Sequence, residues 1–137
     1  ARGVRSTLFY GGRRASDLFY LDWFASRGVD LVLTTEDGSR GSAGLVTVPL
    51  ESALSAAPPE RPVMLYACGP EPMLKAVGLL AARFGRPSEL SMERIMGCGM
   101  GGCYSCVVRV TGDDGRAHFV RSCLSGPVMD GKTIVWT

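Results

Sequence analysis

Twelve residues, Met96 to Val107, read Met-Gly-Cys-Gly-Met-Gly-Gly-Cys-Tyr-Ser-Cys-Val and hold three of the chain's five cysteines among four glycines. A fourth cysteine, Cys123, follows after sixteen intervening residues, so that Cys98, Cys103, Cys106 and Cys123 crowd into 26 residues. In a non-secreted chain such crowding points to metal binding before it points to disulfides. The loop is built to hold something, and the rest of the chain must accommodate it.

The spacing is Cys-x4-Cys-x2-Cys, a long gap, then Cys, which is the spacing of plant-type [2Fe–2S] ligation. Four thiolates, two ferric ions and two sulfides carry a net charge of about −2, and backbone N–H groups aimed at the sulfurs offset it. Gly97, Gly99, Gly101 and Gly102 suit that task, because glycine permits positive φ and close approach of main chain to a ligand. The competing reading is structural zinc. Zinc ribbons usually show two Cys-x2-Cys knuckles, whereas this chain has one, Cys103 and Cys106, with Cys98 offset. Spacing and glycine content favour the cluster; a four-cysteine zinc-binding module without redox activity stays open, and a disulfide is the third choice.

At 137 residues, with 46% hydrophobic and 20% charged residues, the chain has the make-up of a globular protein able to bury a core without disulfide staples. A net charge of +2 and the lack of a dense Lys/Arg block argue against a nucleic-acid partner. The apolar run Met73–Ala82 is interrupted by Lys75 and is too short to span a membrane. No signal-peptide h-region opens the sequence, so a cytoplasmic setting is expected.

Upstream of the loop the chain alternates between strand and helix signals, after a loose end at residues 1–5. Ser6–Tyr10 reads as a strand halted by Gly11-Gly12, and Ser16 caps a helix with Leu18, Leu21, Phe24 and Ala25 at helical spacing, closed by Gly28. Val29–Thr35 is a near-continuous apolar strand, and Thr47 opens a helix with Pro49 in its first turn. Val63–Ala67 is a third strand. From Pro70 a helix carries the stripe Met73, Val77, Leu80, Ala81 and Phe84 up to Gly85, and Ser88–Arg94 is a fourth strand. Past the loop, Val107–Thr111 and Ala117–Arg121 flank Gly-Asp-Asp-Gly as a hairpin, and Lys132–Trp136 adds a strand. The rhythm predicts an α/β fold: a partial parallel sheet with helices on both faces over residues 6–95, followed by a small β-rich metal-binding subdomain over residues 96–137.

Ligands of open parallel sheets sit at the carboxyl ends of the strands. Those ends are Gly11-Gly12-Arg13, Glu36-Asp37 and Cys68-Gly69-Pro70. Arg13 can face a phosphate, and the acidic pair would accept from a ribose hydroxyl and repel a 2′-phosphate, favouring NAD over NADP. Plainer readings stand beside these: a glycine turn, an exposed acidic turn, and for Cys68 burial as a small hydrophobe. Tyr20, Trp23 and Phe24 read as core packing, and the single histidine, His118, as a surface or core residue with no catalytic context.

The run from Phe9 to Gly131 resembles the electron-transfer subunit of bacterial NAD-dependent dihydroorotate dehydrogenases, within the ferredoxin-reductase superfamily. The resemblance rests on Phe-Tyr-Gly-Gly-Arg (9–13), Thr-Thr-Glu-Asp-Gly-Ser (34–39), Tyr-Ala-Cys-Gly-Pro-Glu-Pro-Met-Leu (66–74), Ser-Met-Glu-Arg-Ile-Met-Gly-Cys-Gly-Met-Gly-Gly-Cys-Tyr-Ser-Cys (91–106) and Arg-Ser-Cys-Leu-Ser-Gly-Pro-Val (121–128). It implies a ferredoxin-reductase-type sheet, with Cys98, Cys103, Cys106 and Cys123 as the [2Fe–2S] ligands. It further implies Gly11, Gly12 and Arg13 on the cofactor-phosphate side, Glu36 and Asp37 near the adenosine ribose, and Cys68, Gly69 and Pro70 near the nicotinamide. It implies electrons passing from an FMN-containing catalytic partner, in a heterotetramer, through the cluster to FAD and NAD, in pyrimidine biosynthesis. Reductase subunits of sulfhydrogenase or transhydrogenase type are the related alternative. Members of the family carry an N-terminal FAD-binding barrel and a first glycine-rich strand that do not occur here. The resemblance therefore implies a C-terminal fragment, inactive alone and binding neither FAD nor NAD tightly.

Overall fold

β-Branched and aromatic residues at the start of the chain form a strand where the sequence places one. The computed structural model describes residues 4–136; residues 1–3, within the expected loose end, and residue 137 lie outside the described residues. The chain forms two units, Ala1–Ala57 and Pro58–Thr137.

In the first unit β1 (Thr7–Gly12) and β2 (Asp30–Thr35) run parallel, in register from Thr7 opposite Asp30 to Gly12 opposite Thr35. A two-residue β3 (Ser42–Ala43) pairs parallel with the end of β2. The crossover from β1 to β2 departs from the expected single helix. It is a 3-10 turn, Ala15–Asp17, then a five-residue α1, Leu21–Ala25. Tyr20 stands between them at φ 59, a left-handed conformation that no continuous α-helix contains. The break turns the aromatic side chains outward: Tyr20 is 77% exposed and Trp23 is exposed too, with Arg27 stacked 4.1 Å from its ring. The expectation of core packing fails for both, while Phe24 is half-buried. α2 (Thr47–Ala56) forms as expected and buries Leu50 and Leu54.

In the second unit β4 (Leu65–Cys68) and β5 (Ser88–Ser91) are parallel neighbours joined by α3 (Glu71–Arg83). α3 buries Leu74, Val77, Gly78 and Ala81, so of the stripe expected from the sequence only Val77 and Ala81 are buried, while Met73, Leu80 and Phe84 are half-buried and Leu74 and Gly78 take the innermost places. Gly78 lets this face approach closely, since a Cβ there would stand 3.3 Å from both Leu90 and Trp136. Arg86, just after the helix, donates to the carbonyls of Pro58, Pro59 and Arg61 and so ties the start of this unit to its centre. β6 (Val107–Thr111) and β7 (Ala117–Arg121) form the hairpin with the expected bounds.

Two expectations change here. The strand at Ser88 ends at Ser91, three residues early, because its pairing partners end there. Lys132–Trp136 contributes a single bridge, Ile134 to Val110, instead of a strand. The strand in that region is β8 (Val128–Asp130), which adds antiparallel to β5 after a one-turn α4 (Ser122–Ser125) and a cis Gly126–Pro127 bond. The first unit carries the three-stranded sheet β1-β2-β3 and the second the three-stranded sheet β4-β5-β8. Among the described residues no helix is long and apolar enough to cross a membrane.

Candidate metal centre

The loop between β5 and β6 has no regular structure and is shaped by its glycines and its own polar contacts. Gly99 (φ 65) and Gly101 (φ 80) adopt the left-handed region. At Gly97 a Cβ would stand 2.8 Å from Ser105 Oγ and 3.1 Å from Cys103 Sγ, so hydrogen is the only substituent that fits without a shift. Gly102 shows neither property, so three of the four glycines have the role expected. Tyr104, at φ 59, also lies in the left-handed region. Arg121 at the end of β7 places its guanidinium 4.6 Å over the Tyr104 ring and donates to the Gly101 carbonyl, fastening the loop from outside.

Cys98, Cys103, Cys106 and Cys123 are all free thiols, the first three on this loop, Cys106 just before β6, and Cys123 on α4. They occur as two pairs. The Cys98 thiol is held down to about 6, first by the backbone N–H of Cys103, then by that of Met100, then by the Cys103 side chain and the Gly102 N–H. The Met100 N–H lies 3.4 Å from Cys98 Sγ. Cys106 is buried, and its thiol is lowered first by the backbone N–H of Cys123 and then by the Cys123 side chain. Cys123 is pushed up in turn, chiefly by the Cys106 side chain, then by burial and by the charges of Cys106 and Cys98. Cys98 and Cys106 are thus both shifted toward the thiolate, which is the form that ligates.

The Ser122 hydroxyl is fully buried and makes no hydrogen bond of normal length, although it faces Cys106 closely enough to favour that thiolate. Among the described residues no three His, Cys, Asp or Glu groups converge tightly enough to hold a single metal ion. These thiols, the backbone donors around them and the buried Ser122 hydroxyl would suit a two-iron cluster, which Cys98, Cys103, Cys106 and Cys123 would hold.

The other candidate residues fall as follows. In the first unit Gly11, Gly12 and Arg13 at the end of β1 adjoin Glu36 and Asp37 at the end of β2, joined by Glu36 N–H to Gly12 O and Asp37 N–H to Arg13 O, both 3.1 Å. A Cβ on Gly11 would meet Val46 at 2.9 Å, which gives this glycine a packing reason of its own. Asp37 is engaged locally: it accepts from the Ser39 hydroxyl at 2.6 Å and the Ser39 N–H at 2.9 Å. In the second unit Cys68, at the end of β4, is exposed rather than buried, correcting the plainer reading. Gly69 follows, and Pro70 caps α3. The first residue of α3, Glu71, grips Arg94 in a two-pronged ion pair of 2.5 and 3.1 Å, so the Cys-Gly-Pro turn and the root of the cysteine loop share one clamp.

Ser39 holds the Asp37 carboxyl below its ordinary 3.8, first through the hydroxyl and then through the N–H. A carboxylate depressed in the folded state stabilises above its unfolded pKa and loses that contribution as pH falls through the folded value. Melting curves from about pH 5 to about pH 2 are expected to fall more steeply for the native chain than for Asp37→Asn, which cannot titrate there.

Parallel strand–helix–strand segments precede a glycine-rich loop that, with α4, carries four free cysteines. Residues 93–135 match the family of the iron–sulfur cluster binding domain of dihydroorotate dehydrogenase B. The chain is 42% identical over 135 residues to the dihydroorotate dehydrogenase B (NAD(+)) electron transfer subunit of Geobacillus kaustophilus, covering 98% of this chain and 48% of that protein. It is 32% identical over 130 residues to the subunit of the same name from Desulforamulus reducens, covering 95% and 48%. A solved NADH-dependent reduced ferredoxin–NADP oxidoreductase, studied for flavin-based electron bifurcation, superposes with a TM-score of 0.75 at 31% identity over 98% of this chain and 45% of its own. The resemblance drawn from the sequence thus extends over nearly all of the chain, which spans about half the length of the curated relatives it matches.

Proposed function

We propose that this chain is an electron-transfer component of a dihydroorotate dehydrogenase of the NAD-linked kind, with Cys98, Cys103, Cys106 and Cys123 holding a [2Fe–2S] cluster. The observation that carries the reading is four free cysteines on one glycine-rich loop and the short helix α4, with the Met100 N–H 3.4 Å from Cys98 Sγ, Cys106 buried, and its carbonyl accepting the Ser122 N–H at 3.0 Å. When bound, the cluster supplies one-electron transfer, which lets a two-electron donor and a two-electron acceptor on separate proteins exchange electrons singly. The chain's own residues lower the Cys98 and Cys106 thiols, shape the loop through Gly97, Gly99 and Gly101, and keep Cys106 dry. Residues 96–137 are the cluster-binding part, and residues 6–95 a partial NAD-binding α/β part.

On the NAD side, Arg13 is free to meet a phosphate at the exposed end of β1. Glu36, exposed beside an Asp37 already engaged by Ser39, is the better acceptor for a ribose hydroxyl. Cys68, Gly69 and Pro70 take the nicotinamide side, with FAD between the cluster and NAD. The electron donor is an FMN-containing catalytic subunit in a heterotetramer, and turnover requires it. Ile95 (83% exposed) and Met100 (84%), with exposed Met96, Tyr104 and Leu124, ring the cysteine loop with apolar surface of the kind that marks a protein partner. A cytoplasmic setting suits the unpaired thiols.

A second reading, a reductase of the transhydrogenase type, is favoured by one observation, the 31% identity to the ferredoxin–NADP oxidoreductase structure. Anaerobic chain mixed with a dihydroorotate-reduced catalytic subunit tests both. Visible absorption that bleaches with dihydroorotate supports the first reading. Bleaching by dithionite or reduced ferredoxin but not by dihydroorotate moves the assignment to the second.

A further inference from the structure

The hydroxyl of Ser105 lies where three groups compete for it. It accepts from the Gly97 N–H at 3.1 Å, donates to the Ile95 carbonyl at 3.2 Å, and stands 3.1 Å from Cys103 Sγ. The contact with sulfur can run in either direction while Cys103 is a thiol. Ser105 belongs to neither strand nor helix, yet its Oγ is held from both sides of the loop, and only a glycine at 97 leaves room for it.

A hydroxyl has one proton and two lone pairs. With Cys103 as a thiol the accounting closes: the Gly97 N–H and the Cys103 S–H donate to the two lone pairs, and the hydroxyl proton goes to Ile95 O. A Cys103 sulfur bound to iron has lost its proton and is an acceptor only. At 3.1 Å two lone pairs would then face each other across a contact shorter than an ordinary O–H···S bond. Rotation about the Cβ–Oγ bond removes that conflict without moving a heavy atom, by redirecting the proton from Ile95 O to Cys103 Sγ.

We infer that Ser105 is a positioning residue whose hydroxyl proton turns from the Ile95 carbonyl to Cys103 Sγ when that sulfur becomes a metal ligand, and that this hydrogen bond raises the reduction potential of the bound cluster. The inference rests on the assignment of Cys103 as a ligand. Reduction adds negative charge to the cluster and its sulfurs, so a hydrogen-bond donor on a ligand sulfur stabilises the reduced form more than the oxidised one. The effect is electrostatic and needs no change in the ligand set.

The test is the midpoint potential of the full chain, loaded anaerobically with iron and sulfide and followed by visible absorption and circular dichroism, for the native sequence, Ser105→Ala, Ser105→Thr and Ser105→Val. Ser105→Ala is expected to lower the ratio of reduced to oxidised cluster at a fixed potential by about five- to tenfold, roughly 40–60 mV at 59 mV per decade for one electron. Ser105→Thr keeps the native value, and Ser105→Val, with the shape of threonine but no hydroxyl, follows alanine. The midpoint belongs to the loaded fraction, so partial loading does not blur the comparison. Equal midpoints in all four chains overturn the inference. So does a Ser105→Ala chain that loads no cluster while Ser105→Thr loads fully, since the hydroxyl would then serve assembly rather than potential. A native chain that takes up neither iron nor sulfide rejects the cluster assignment itself, a separate failure.

Discussion

Cys106→Ala is expected to leave the chain unable to retain iron and sulfide, taking the content from about two of each per chain to near zero and abolishing visible absorption. The expected effect is large because Cys106, only 3% exposed, is the innermost of the four thiols. It immediately precedes β6, and its carbonyl accepts the Ser122 N–H at 3.0 Å, which sets α4 and Cys123 against it. Removing it deprives Cys123 of its partner and leaves one pair incomplete. Cys68→Ala is the matched control. Cys68 is an exposed thiol at the end of β4, outside the cysteine loop, and its loss should leave iron and sulfide content unchanged. Equal loss in both variants would show that the metal is bound without regard to the pairing.

Leu74→Ala should be the most damaging of the core changes. Leu74 is 0% exposed, on the face of α3 that also buries Val77 and Ala81. Truncating a fully buried leucine costs about 2.7–5 kcal/mol, because the transfer energy is lost and the cavity closes only in part. For a unit of this size each kcal/mol lowers Tm by about 4–8 °C, so a fall of roughly 10–40 °C is expected in calorimetry or thermal circular dichroism. Leu79→Ala, on the exposed side of the same helix, should stay within about 0.5 kcal/mol of the native chain. A small effect at Leu74 would mean that the stripe does not form the core.

The parts of this fold that a reader of the sequence could locate are those whose signals are local. The hairpin bounds follow from alternation on either side of Gly-Asp-Asp-Gly, and α3 from a stripe between Pro70 and Gly85. α1 was overestimated because Leu18, Leu21 and Phe24 carry the helical period while Tyr20, between them, takes a left-handed conformation that no periodicity reveals. β8 was missed because three residues of strand are set by the partner β5, whereas the β-branched run Thr133-Ile134-Val135 has the stronger intrinsic preference and makes only one bridge. The exposure of Cys68 was readable after all. With Leu65 and Ala67 half-buried on one face of β4, strand parity sends Tyr66 and Cys68 to the other.

The candidate centre divides along the same line. Spacing and glycine content pick out the four cysteines, but not that they associate as 98 with 103 and 106 with 123, which depends on α4 folding back onto the start of the hairpin. Ser105 carried a weak signal, a hydroxyl residue inside Cys-x2-Cys. Ser122, Arg121 and the Glu71–Arg94 clamp carried none, because each depends on contacts between segments about 16 to 23 residues apart whose proximity only the folded chain creates.

The central claim, that this loop holds a two-iron cluster, is tested most directly by metal and acid-labile sulfide analysis of the chain prepared without oxygen. About two iron and two sulfide per chain, in a red-brown protein, is the expected result. About one zinc per chain, with no sulfide and no colour in protein never exposed to air, would contradict it.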